Sequence, residues 1–134
     1  MKYLTLDDLD ASLKRNITDD LSENNYSILN TIEDESINEI ESYIGFKFDV
    51  QVGLKINSHL RMILKDIFIY HFTSRMSHTS MQEIREVRYE NAKTWLKDLF
   101  AGKIGSTLPM KQEAVNEYVS KNYYITEPLI GGSY

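Results

Sequence analysis

At 134 residues and 15.6 kDa, with 42% hydrophobic and 26% charged residues, the chain has the size and composition of one domain with its own core. With no cysteine it can form neither a disulfide framework nor a thiolate metal site, and a reducing compartment is the simpler expectation. A net charge of −5 repels phosphate backbones, so nucleic-acid binding would need a local basic patch, and the sequence offers none.

The N-terminus opens with an acidic cluster (Asp7, Asp8, Asp10) where a signal peptide would be basic and then apolar. The most apolar run, Ile63 to Phe72, is cut by Lys65, Asp66 and His71, so no membrane span is expected. The protein is expected to be soluble and to stay inside the cell.

Thr5 suits a helix start, because Asp8 three residues on completes a capping box, and Leu6, Leu9 and Leu13 follow as one apolar stripe. From Arg15 to Asn30 the signal is poor, with Asp19, Asp20, Asn24 and Asn25 marking turns. A calcium loop is not expected there, since the alternation, central glycine and closing glutamate are missing. A second helix is expected from Glu33 to Ile44. Ile37, Ile40 and Ile44 line one face, and Glu33, Asp34, Glu35, Glu39 and Glu41 line a solvated opposite face or a docking surface for a basic partner.

Between Gly45 and Asn57, Phe46, Phe48, Val50, Val52, Leu54 and Ile56 alternate strictly, which is the strand period. Three readings are open: an extended loop packing alternate side chains on the core, a hairpin with the tail, or an edge pairing with a neighbouring subunit. The first is adopted. Ser58 is expected to cap a third helix running to Ser74, apolar around most of its circumference and therefore central. Ser80 and Glu83 form a second capping box before a fourth helix, Met81 to Ala101. Ala92, Trp95, Leu96, Leu99 and Phe100 stack on one face of it, Gly102 stops it, and Lys97 and Lys103 complement its negative end. Gly105 to Pro109 reads as a linker, 110–122 as a short helix, and Tyr123 to Tyr134 as an extended aromatic tail. The fold class expected is therefore all-α: a compact bundle of four main helices, an extended loop before the third, and a C-terminal extension.

Chemistry is sparse. His59, His71 and His78 lie twelve and seven residues apart, not the four that puts two metal ligands on one helical face. There is no glycine-rich phosphate loop and no nucleophile elbow. No catalytic residue, metal or cofactor is expected, and the chain is not expected to be an enzyme. Asp66 interrupts the apolar third helix, and a buried carboxylate needs a partner. It either meets Arg88 or Tyr89 on the fourth helix, making Asp66 and Arg88 a structural polar pair, or lies on an exposed stripe with Arg61 and Lys65. A helix-turn-helix regulator is the alternative function, with Arg85, Arg88, Lys93 and Lys97 as candidate readers. Interleaved Glu83, Glu86, Glu90 and Asp98 speak for a solvated face instead.

Three segments together resemble one family. They are Tyr3-Leu4-Thr5-Leu6-Asp7-Asp8-Leu9, the run Leu60 to Phe72 with Asp66-Ile67 at its centre and Tyr70 a turn later, and Arg88-Tyr89-Glu90-Asn91-Ala92 through Trp95-Leu96 to Ala101-Gly102-Lys103. The family is that of Mu-like phage and prophage neck proteins, similar in architecture to head–tail connectors of tailed phages. The chain departs from it in having no proline between Gly45 and Asn57, extra residues around Ser22 to Thr31, and a tail after Lys103 that does not align.

The resemblance implies a connector-like helical domain over 1–103, an arm over 104–134, and a ring of copies joining head to tail. Partners would be copies of itself, the portal and tail-side neck proteins, with no specific nucleic-acid sequence and no membrane. The protein would be found in the host cytoplasm during assembly and then in the virion neck. Within that picture Tyr123, Tyr124, Ile125, Pro128, Leu129 and Ile130 are the expected interface residues, because aromatics in an extended segment anchor contacts well. A tail folded back on its own core is the competing reading.

Overall fold

A computed structural model describes residues 1–8, 26–75 and 83–111. Four α-helices form its body: α1 (Tyr26–Ile44), α2 (Val50–Ile56), α3 (Ser58–Arg75) and α4 (Glu83–Phe100). No strand occurs among the described residues, only one antiparallel bridge between Phe48 and Met110. The all-α bundle expected from the sequence is the observed architecture.

Helices α1, α3 and α4 pack each against the other two, and α2 lies across α1 and α3. The core between them contains Ile32, Ile40, Ile44, Leu64, Ile67, Phe68, Phe72 and Leu96, each essentially inaccessible to water. Phe68 and Phe72 stack one turn apart, their centroids 6.2 Å apart. Helix α3 buries residues around most of its girth and touches all three other helices, the central place its apolar circumference predicts.

Two expectations for α1 need correction. The helix begins at Tyr26 rather than Glu33, so its acids do not crowd the first turn. Nor is Glu33 on a solvated face: it is 1% exposed. Its carboxylate accepts the backbone N–H groups of Lys2 (2.5 Å), Tyr3 (3.1 Å) and Leu4 (2.9 Å), pinning the N-terminal segment across α1 and burying Leu4. A carboxylate fits there because these donors have no secondary structure to satisfy them. At Thr5 the capping interaction takes place around a single 3-10 turn, Leu6–Asp8, where the Asp8 carboxylate accepts from Thr5 N at 2.7 Å. Leu9 and Leu13 lie outside the described residues.

The alternating segment is not an extended loop. A turn leads into α2, capped by Asp49, whose side chain accepts from Val52 N. Val50, Gly53 and Leu54 are buried, whereas Phe46, Val52 and Ile56 are 67%, 40% and 66% exposed. Period-two alternation places Val50 and Leu54 four residues apart, which also satisfies a helix, and the caps decide between the two. Gly53 permits the close docking: a Cβ there would sit 3.0 Å from Leu108 Cδ2 and 3.1 Å from Leu60 Cδ2. Ser58 is not the cap of α3 either. Asn57 serves instead, ending α2 and accepting from Leu60 N at 2.9 Å through its side chain.

Helix α4 ends as its sequence implies. Gly102 adopts φ 80°, Lys103 N donates to Asp98 O and Gly102 N to Leu99 O, the paired bonds of a Schellman stop. A Cβ at Gly102 meets nothing within 4 Å, so Gly102→Ala should cost about 1 kcal/mol from backbone strain alone, read as a lower urea midpoint with unchanged slope. Lys97 lies in the last turn as expected, and a further cation comes from a distant segment: Lys47 Nζ donates to Phe100 O at 2.6 Å and lies over the Phe100 ring. Residues 104–111 stay on the body, with Leu108 buried and Asp49 N bonded to Pro109 O. The Ser80 cap, the tail and all but the first two residues of the helix expected over 110–122 lie outside the described residues. Those two are not helical: Met110 bridges Phe48, and Lys111 N bonds Lys47 O.

Candidate functional site

The two flanks of α4 do different things. On the flank turned toward α1, Tyr89 stacks on Tyr70 of α3, with centroids 3.8 Å apart and rings 4° from parallel. Its hydroxyl donates to Glu39 Oε1 (3.2 Å), which also lies 3.0 Å from His71 Nε2. One carboxylate of α1 therefore holds a tyrosine of α4 and a histidine of α3, tying the three long helices together. Burial first, and then the Glu39 charge and hydrogen bond, push the Tyr89 phenol well above the ordinary tyrosine value. Glu39 Oε2 is buried without a hydrogen-bond partner. The sequence hides this cluster, since Glu39 reads as one more acid on a solvated helix face. At the far end of α3, Arg75 pairs with Glu35 at 2.5 Å, an exposed contact of small energetic weight.

On the other flank, α3 and α4 leave an open groove of about 510 Å³. Helix α3 contributes His59, Met62, Lys65 and Asp66, and α4 contributes Arg88, Asn91 and Trp95. The His59 and Trp95 rings meet edge to face at 4.7 Å. Met62 is 44% exposed here, and Ile84 and Val87, on the preceding turns of α4, are also exposed. Among the described residues no group of three His, Asp or Glu side chains is placed to hold a metal ion.

Asp66 and Arg88 both line this groove, and no hydrogen bond or ion pair within 4.0 Å joins them among the described residues. Burial raises the Asp66 carboxyl above its usual range, while Arg88, Lys65 and His59 pull it part of the way back. Because the folded-state pKa is raised, the stability linked to Asp66 is fully present below the unfolded value of ~3.9 and is lost as pH rises through the folded value. Asp66→Asn should therefore stabilise the protein at pH 7, with the gain fading as pH falls and gone below about pH 4. Urea denaturation of both proteins across that range checks the sign. Tyr123, Tyr124, Ile125, Pro128, Leu129 and Ile130 lie outside the described residues.

The described residues form a compact α-helical body with a groove whose lining mixes apolar side chains with Lys65, Arg88 and Asp66. Comparison with known families makes this specific: the model described as Bacteriophage Mu, Gp36 matches residues 3–123. The chain belongs to that family, and is a phage structural or assembly protein. No curated protein and no solved structure matches it. The family match runs past Lys103 and stops at residue 123, where the aromatic tail begins. Among the described residues no helix is long and apolar enough to cross a membrane.

Proposed function

We propose that the protein is a head–tail connector, a neck subunit that assembles as a ring of identical copies between the portal and the tail-side neck proteins and acts by contact rather than catalysis. The observation that carries this reading is the family match over residues 3–123, which belongs to a phage protein. The open α3/α4 groove with its exposed Met62, and the exposed Ile84 and Val87 of α4, support it, because apolar surface left on a small domain favours association. Rings of identical copies require two different patches on each subunit, one meeting the other on the next copy. The working location is the host cytoplasm during assembly and the virion neck afterwards.

A phage or induced prophage lacking this gene should accumulate DNA-filled heads and separate, complete tails, visible by electron microscopy. Normal tailed particles from the same lysate would refute the proposal. The helix-turn-helix alternative is less favoured. Arg88 lies in the groove beside Asp66, while Lys93 bonds Glu90 and lies over the Tyr89 ring, and Lys97 lies over Tyr43 on the opposite flank, so these cations do not share one reading face.

A further inference from the structure

We infer that opposite ends of the helical body bind each other between copies. The apolar, cationic end of one chain docks on the apolar, acidic start of α4 in the next. The inference rests on the self-assembly proposed above and names the two patches that meet.

The end of α1 leads through Lys47 and α2 to the start of α3, and Lys47 reaches the last turn of α4. These termini therefore share one end of the body, and the Phe48–Met110 bridge holds Met110 there too. Large apolar side chains are left exposed at this end: Phe46, Val52 and Ile56 one turn apart on α2, Phe100, and Met110. Lysines adjoin them in the chain, Lys47 after Phe46, Lys55 before Ile56 and Lys111 after Met110. Among the described residues none of these three lysines has a carboxylate within 4.0 Å. The acids of this end are already engaged: Asp49 caps α2, Glu41 accepts from Gln51, and Asp98 faces Lys103 at 3.9 Å. On a chain of net charge −5, this end is a local excess of positive charge beside apolar surface.

The start of α4 is its complement. Ile84 and Val87 are exposed on adjoining turns, and Glu83, Glu86 and Glu90 are exposed around them at three- and four-residue spacing. The cations nearby have other partners. Lys93 holds Glu90 at 3.0 Å, and Arg88 lines the groove beside Asp66. Acids in a first turn are expected from the helix dipole alone. Two apolar side chains left in water between them are not.

One copy cannot join these patches to each other. The 18 residues of α4 hold them about 25 Å apart, with Glu83 at one end and Phe100, bound by Lys47, at the other. Contact between them is therefore contact between copies. Like patches would not serve, since an end against an end sets lysine against lysine, and a start against a start sets glutamate against glutamate. End against start is the heterologous contact, which closes into a ring when the rotation between copies divides a full turn.

Charge reversal tests this on the full-length chain. Lys55→Glu with Lys111→Glu makes the end acidic, and Glu83→Lys with Glu86→Lys makes the start of α4 basic. All four side chains are exposed, and circular dichroism checks that each protein is folded. By sedimentation, the natural chain should associate as concentration rises, and less so in added salt. Each reversed protein alone should associate at least about tenfold more weakly, a loss of about 1.4 kcal/mol. Association should return when the two are mixed, because the basic start of one then meets the acidic end of the other. It should return as well in one chain carrying all four changes. Phe46→Ser with Ile56→Ser should weaken association by a similar factor and leave the urea midpoint unchanged.

Reversed proteins that associate like the natural chain would overturn the inference while leaving self-assembly standing. Weakening that mixing does not repair would do the same. If a reversal unfolds the chain, the Phe46 and Ile56 pair decides alone, and unchanged association would overturn the inference. No association of the natural chain at any concentration, alone or with a portal protein, would overturn both.

Discussion

Glu33→Ala should destabilise the protein by about 2–4 kcal/mol, a large loss for a side chain that resembles a surface acid in the sequence. Three backbone donors, at Lys2, Tyr3 and Leu4, depend on this one carboxylate. A hydrogen bond to a charged group contributes ~1.5–3 kcal/mol, and a buried donor left without a partner costs ~1–3 kcal/mol. The full sum is not expected, because the N-terminal segment is free to peel away and regain water. Peeling forfeits the burial of Leu4, however, which is 4% exposed. Urea denaturation measures the loss, and amide exchange at Lys2 to Leu4 should accelerate more than exchange in α3. A change below about 0.5 kcal/mol would show that the clamp contributes little.

Leu54→Ala should cost about 2–5 kcal/mol, while Ile56→Ala two residues on should stay within about 0.5 kcal/mol. Leu54 is 0% exposed and Ile56 is 66% exposed. The contrast separates two structures of the same sequence. If residues 50–56 were extended, Val50, Val52, Leu54 and Ile56 would share one face and respond alike. As a helix they divide, with Val50 and Leu54 inward and Val52 and Ile56 outward. Equal losses at 54 and 56 would contradict the helix. Chemical denaturation of the two variants, compared with Val52→Ala, is sufficient.

These two sites also show where the sequence was readable and where it was not. Helix α3 was legible within a residue at its start and α4 within a residue at its end, because each has a long apolar periodicity and α4 closes on a glycine with φ 80°. Helix α2 was illegible by periodicity, since seven residues hold too few turns to tell a period of two from 3.6. The deciding signal was the Asp49 cap, which strict alternation overshadowed. Glu33 and Glu39 were misassigned for a different reason. Helical patterning shows which side chains share a face but not what a distant segment brings to it, and their partners lie some thirty residues or more away, at Lys2 to Leu4, His71 and Tyr89.

The groove was only half legible. Trp95 belonged visibly to a packing face, and Asp66 stood out as a carboxylate in an apolar helix. That the two line one open cleft with Met62 and Arg88 depends on the rotation of α3 against α4, which no local pattern specifies. Glu39 sets part of that rotation by holding Tyr89 on one flank, which leaves Arg88 and Trp95 on the other.

The connector reading is tested most directly by the mass of what this protein forms when mixed with the portal protein of its own phage, measured by native mass spectrometry or sedimentation. A closed ring of several copies, in fixed ratio to the portal, is the expected result. A chain that stays monomeric beside the portal, and instead binds duplex DNA with strong salt dependence, would contradict it.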